Sequence, residues 1–272
     1  MTDAPETRAA TGASRSSTEP LLTVDEVSLS FGGVRALDDV SFTVLPGELF
    51  AIIGPNGAGK TSMFNCLNGV YRPQHGRIRL GDFDVTEAKS LAIAKQGVAR
   101  TFQNLGLFMN LNVIDNLMLG RHLQMSSGFL AGALWWGKAK REELRNRRRV
   151  EEIIEMLELQ PYRYHPVGLL PYGIQKRVEL GRALGMDPKL LLLDEPVAGM
   201  NLEETEDMAR YILEIKDELE LAMILVEHDM HMVMDISDRV MALNFGLPIA
   251  VGTPAEVQSS PEVINAYLGE SG

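Results

Sequence analysis

"GPNGAGKTS", Gly54 to Ser62, decides the fold. It fits G-x-x-x-x-G-K-[ST] through Gly54, Gly59, Lys60 and Thr61, with Ser62 closing the stretch. The run before it, "ELFAIIG", is short and continuously apolar, the pattern of a strand covered on both faces. The run after it, "KTSMFNCLNG", reads as a helix closed by Asn68-Gly69. A strand, a glycine-rich turn and a helix start together make an anion cradle. Its glycines let the backbone of Gly54, Pro55, Asn56, Gly57, Ala58 and Gly59 curl until several N–H groups point at one phosphate. The helix N-terminus adds favourable partial charge. Lys60 reaches terminal phosphates, and the Thr61 hydroxyl suits Mg²⁺.

Further chemistry stands at the ends of other strands. "LLLLDEP" begins as a buried strand and places Asp194 at its C-terminal end, the edge where open α/β sheets bind ligands. Beside a phosphate cradle, Asp194 suits Mg²⁺, and Glu195 suits polarising the water that attacks a terminal phosphate. Without the cradle, the same pair would read as a helix cap or a solvated loop. "AMILVEHD" repeats the buried-strand pattern and brings His228 to the same edge. There it reads as a γ-phosphate contact in preference to a structural hydrogen-bonding histidine. His231, on the following helix, reads as solvated or capping, and Cys66 as a small core residue.

Elsewhere, "LLTVDEVSLSF" and "VSFTVL" alternate like half-exposed strands, the first with one slip. "EETEDMARYILEIKDELE" is a helix with Met208, Ile212 and Ile215 on one side. Buried strands alternating with amphipathic helices predict an α/β core with a mostly parallel sheet. Residues from about 105 to 180 lack strand signals and read as an inserted helical subdomain. Residues 1–20 hold no core-forming pattern and read as a disordered tail, leaving 21–272 as the folded unit.

The composition is that of an ordinary globular protein, with 45% apolar and 23% charged residues. A net charge of −11 argues against general nucleic-acid binding. The one cysteine rules out an internal disulfide and fits a reducing compartment. No apolar run approaches the roughly 18–20 residues of a transmembrane helix, and the N-terminus lacks a secretory h-region.

These motifs, in this order over about residues 21–272, resemble the ATP-binding subunits of ABC transporters. The resemblance implies a P-loop ATPase core with an antiparallel β-subdomain and the inserted helical subdomain. It implies that Phe31, in "LSFGG", stacks on adenine, although the residue alone reads as a strand-end core residue. It implies that Gln103, in "TFQN", takes part in catalysis, touches Mg²⁺ and links the nucleotide to the membrane-facing surface. "LPYGIQ" takes the place of the signature sequence, whose Gly173 amide faces ATP held by the opposite subunit. Asn201, in "AGMN", falls in the D-loop, and His228 matches the switch histidine. "FQNLGLF", "AGMNLEET" and the closing "GTPAEVQSSPEVINAYLGE" resemble one branch, the ATP-binding subunits of branched-chain amino acid importers.

That branch implies ATP and Mg²⁺ as cofactors and a place at the cytoplasmic face of the membrane. Its partners are a second ATP-binding subunit, usually making a heterodimer, two permease subunits, and an extracytoplasmic solute-binding protein. The surface around Leu107 to Met109 would receive a short permease helix. Related solutes such as amides, urea or organic acids fit the same motifs, and an exporter of lipid or polymer is the alternative. Between Lys138 and Arg149, after Trp135 and Trp136, lie seven basic and two acidic residues. This reads as an exposed basic helix face, with anionic lipid or permease contact as the second reading. Pro171 stands where the signature commonly has serine; it suits a helix's first turn but supplies no hydroxyl. The signature serves the partner's site, so an asymmetric pair is expected, with the site containing Lys60 the more active.

Overall fold

The apolar run before the cradle is a strand buried at every residue, Leu49–Ile53. In chain order the elements are β1 (Leu22–Phe31), β2 (Val34–Val44), β3 (Leu49–Ile53), α1 (Lys60–Leu67), β4 (His75–Leu80), β5 (Phe83–Asp84), α2 (Ser90–Lys95), β6 (Val98–Arg100), α3 (Val113–Gly120), α4 (Lys138–Met156), α5 (Tyr172–Leu184), β7 (Leu190–Asp194), α6 (Leu202–Leu219), β8 (Ala222–Val226), α7 (Met230–Ile236), β9 (Arg239–Asn244), β10 (Leu247–Gly252), α8 (Pro254–Gln258) and α9 (Pro261–Leu268). The structure, a computed structural model, describes residues 19–101, 106–121 and 138–268. The expected tail, apart from Glu19 and Pro20, lies outside the described residues, as do Gln103, Trp135 and Trp136.

The larger sheet has six strands in the order β10-β9-β3-β8-β7-β6. Neighbours in it are parallel except for β9 and β10, so the mostly parallel core read from the sequence is present. The smaller sheet, β2-β1-β4-β5, is antiparallel. The slip in the β1 alternation is a bulge: pairing shifts between Val24 and Val27, and Glu26 takes φ 49.

Strand β3 divides two cores by its pleat, because successive side chains point to opposite faces. Leu49, Ala51 and Ile53 join Val113, Leu117, Val150, Ile153 and Val178 from the helices. Phe50 and Ile52 join Leu22, Leu37, Val40, Met63 and Phe64 from the smaller sheet and α1. Both cores therefore lean on one strand, and that strand delivers the chain into the cradle.

The helices between β6 and β7 are α3, α4 and α5, and α5 runs past residue 180 to Leu184. Arg121, at the end of α3, fastens them. Its Nε and Nη2 donate to Asn146 Oδ1 on α4 at 3.2 and 3.1 Å, and its Nη1 donates to the Gly185 carbonyl at 2.9 Å. The same guanidinium pairs with Asp187, which also accepts from Arg149 Nε at 2.9 Å. On α4, Arg147 pairs with Glu143 one turn away, while Arg141, Arg145 and Arg148 are exposed, as the basic-face reading expects. Among the described residues no helix is long and apolar enough to cross a membrane.

Candidate active site

The cradle's shape depends on two glycines. Gly54 has φ 148, and a Cβ there would lie 2.2 Å from the Leu243 carbonyl oxygen. Gly59 has φ 107, and a Cβ there would lie 2.5 Å from the Ala36 carbonyl oxygen. Any other side chain would have to move backbone. The β9–β10 turn braces the cradle: Gly246 N–H donates to the Ala58 carbonyl at 2.9 Å, and the Asp38 N–H donates to the Gly246 carbonyl at 2.9 Å. Lys60 begins α1 and is buried, its Nζ donating to the Gly54 and Pro55 carbonyls at 2.5 and 2.9 Å.

A cleft of about 390 Å³ opens over this turn. It gathers Asn56, Gly57, Ala58 and Gly59 with Lys60, Thr61 and Ser62, and adds Glu195 and His228 from the ends of β7 and β8. His228 Nε2 lies 2.7 Å from Glu195 Oε1. Glu195 sits in the left-handed region at φ 48, a conformation that costs a non-glycine residue about 1–2 kcal/mol. Its own N–H extends the β7–β8 ladder by donating to the Val226 carbonyl at 2.8 Å.

Asp194 ends β7 almost fully buried. Arg100, on the neighbouring β6, compensates its charge, with Nη2 donating to Asp194 Oδ2 at 2.6 Å and Nη1 to Asn65 Oδ1 at 2.8 Å. Asn65 and Thr61 lie four apart on α1 and so share a helix face. Thr61, which lines the cleft, and Asp194, at the end of β7, carry oxygen donors of the kind Mg²⁺ takes.

Phe31 is 45% exposed, meets the Tyr71 ring edge-on at 5.0 Å between centroids, and pairs across the strands with Val34, which lines the cleft. The structure does not bring Gly173 to this cleft. It lies in the first turn of α5 and lines a separate pocket of about 130 Å³ with Pro171, Arg177, Glu204 and Tyr211. Pro171 is the N-cap of α5, one position earlier than the first-turn expectation, at φ −53 and ψ 150 with no side-chain cap. The helix forms because the cap position tolerates an extended backbone and needs no donor there. Asn201 caps α6, accepting from the Glu204 N–H at 3.0 Å while Glu204 accepts from the Asn201 N–H at 3.1 Å. The expected docking segment divides: Leu107 is core at 8% exposure, whereas Phe108 is 57% exposed and Met109 is also exposed.

Four residues escaped the sequence reading. Arg100 ends a strand too short to carry a periodic signal. Phe245, 79% exposed, and Arg35 line the cleft only because the β9–β10 turn and β2 fold over it. Glu227 was hidden beside the more conspicuous His228.

Fold and site together define an ATP-binding cassette of the P-loop class. Residues 37–198 match the ABC transporter family, and residues 248–272 match the family of branched-chain amino acid ATP-binding cassette transporters. The chain belongs to the ABC transporter family of ATPases that power transport. It is 40% identical over 253 residues to the high-affinity branched-chain amino acid transport ATP-binding protein LivG of Escherichia coli K12, covering 93% of this chain and 99% of that protein. The corresponding BraF of Pseudomonas aeruginosa is 39% identical over 252 residues, with 93% and 99% covered. The crystal structure of the ADP conformation of MJ1267, an ATP-binding cassette of an ABC transporter, superposes with a TM-score of 0.80 at 29% identity, covering 93% of this chain and all of that one.

Proposed function

We propose that this chain is the ATP-hydrolysing subunit of an importer of branched-chain amino acids or a closely related small solute. It works at the cytoplasmic face of the membrane, paired with a second ATP-binding subunit beneath two permease subunits that an extracytoplasmic binding protein supplies. The observation that carries the hydrolytic reading is the Glu195–His228 contact of 2.7 Å, in the same cleft as Lys60 and Thr61. The cargo reading rests on the likeness to LivG and BraF.

In this reading the phosphates of ATP enter the cradle between Gly54 and Ser62. Lys60 exchanges the Gly54 and Pro55 carbonyls for phosphate oxygens, so its charge is already aimed at the site before substrate arrives. Phe31 stacks on adenine. Glu195 accepts the proton of the attacking water, and His228 holds that carboxylate in place while reaching the γ-phosphate. Thr61, Asp194 and Gln103 would hold Mg²⁺, which when bound neutralises charge on the β- and γ-phosphate oxygens. Gly173 serves the partner's nucleotide, which agrees with its place outside the residues that line the chain's own cleft. Pro171 removes one hydroxyl from that partner site, so the pair is an asymmetric heterodimer and the site containing Lys60 turns over faster.

In the assembled transporter, Glu195→Gln should bind ATP and stop hydrolysing it; a parental hydrolysis rate would eliminate Glu195 as the base. Vesicle uptake with leucine, isoleucine and valine beside amides and small acids tests the cargo. Outward movement of lipid or polymer in place of uptake would favour the exporter reading.

A further inference from the structure

Glu227 stands between β8 and His228, is 3% exposed, and is absent from every role assigned above. Its two carboxylate oxygens reach in two directions. Oε1 accepts from the Val197 N–H at 2.9 Å, in the loop that follows β7. Oε2 accepts from the His228 N–H at 2.8 Å and, at the long distance of 3.5 Å, from the Asp229 N–H.

The β7–β8 ladder ends at the bond from Glu195 N–H to the Val226 carbonyl. Beyond that point the two chains leave the sheet, and the backbone pairing that set their separation stops. Glu227 takes over where it stops. Val197 is two residues past Glu195, and His228 is the next residue after Glu227, so one carboxylate grips both loops that carry the contact of 2.7 Å between Glu195 and His228. The grip also bears on the backbone of Glu195. That residue holds φ 48, in the left-handed region that residues other than glycine seldom occupy. A strained backbone persists only where its surroundings over-determine it, and the Val197 bond is one such constraint.

We propose that Glu227 is a positioning residue for hydrolysis, fixing the distance between Glu195 and His228 without touching ATP. Both carboxylate oxygens act as acceptors, because the groups they meet are N–H donors. An amide would turn its NH₂ against one of them, and a shorter acid could reach only one of the two loops. The proposal rests on the reading of Glu195 as the base.

The test compares Glu227→Gln and Glu227→Asp with the parent and with Glu195→Gln, in the assembled transporter. Both Glu227 variants should lower kcat by roughly 10–100-fold, the range for a misplaced catalytic group, with KM for ATP within about twofold of the parent. Binding of a fluorescent ATP analogue to the purified variants should be unchanged. In the Glu195→Gln background, adding Glu227→Gln should lower the residual rate no further, since the residue acts through Glu195. Parental kcat in both variants would overturn the proposal, as would a parallel loss of ATP binding or a full additional loss in the double variant. Parental turnover in Glu195→Gln alone would instead overturn the base assignment on which the proposal stands.

Discussion

Single residues here carry charge into places that water does not reach, and their partners show how each is tolerated. Asp194 keeps a buried carboxylate because Arg100 lies 2.6 Å away across the β6–β7 pair. Removing one member of such a pair leaves the other uncompensated, at a cost of about 3–5 kcal/mol. Arg100→Ala should therefore lower the unfolding free energy from urea titration by that amount without any ligand present. A shift under about 1 kcal/mol would mean that water reaches Asp194. Cys66 is the opposite case. Burial among apolar side chains pushes its thiol up to about 12, so it stays protonated and inert. An aromatic disulfide reagent at pH 8 should leave it untouched in the native protein and titrate it after denaturation. Because the folded thiol ionises far above the unfolded value of about 8.5, stability falls as pH rises from there toward 12 and is unaffected by this group below it.

At the scale of elements, helix ends and fastenings decide more than propensity. Arg121 ties α3 to α4 and to the turn after α5, so Arg121→Ala should cost about 3 kcal/mol, read by chemical denaturation, through hydrogen bonds to a buried charge. Asn201→Ala opens the capping box of α6 and should cost about 1 kcal/mol. These elements differ in how far the sequence exposes them. The strands β3, β7 and β8 are legible because each is a short apolar run covered on both faces. The helix α6 is legible because Met208, Ile212 and Ile215 recur at helical spacing, and all of them are buried. By contrast β6 has three residues, and β10, at the sheet's margin, is nowhere fully buried. Neither offers a period to detect. The site divides likewise: Lys60, Asp194 and His228 announce themselves by local motif. Arg100, Phe245 and Glu227 acquire their places only when strands distant in sequence become neighbours.

Over the whole molecule, the cleft and the first turn of α5 are separate places on one chain, which suits a pair of subunits that exchange them. If the missing hydroxyl at Pro171 weakens only the partner's site, the two catalytic glutamates should not count equally. Replacing Glu195 should remove most of the transporter's ATP turnover, and replacing the partner's counterpart should remove less; equal losses in a phosphate-release assay would contradict the asymmetry. The division of the chain into a nucleotide-binding core and a helical insert also has a limit, set by β3. Its odd-numbered residues face the helices and its even-numbered ones face the smaller sheet. The helices are therefore not a cartridge. Lifting them onto another scaffold would strip the cover from Leu49, Ala51 and Ile53, and a chimera joined at their borders would have to carry a matching strand with it. For anyone recombining such subunits, the portable unit is the sheet with both of its coats.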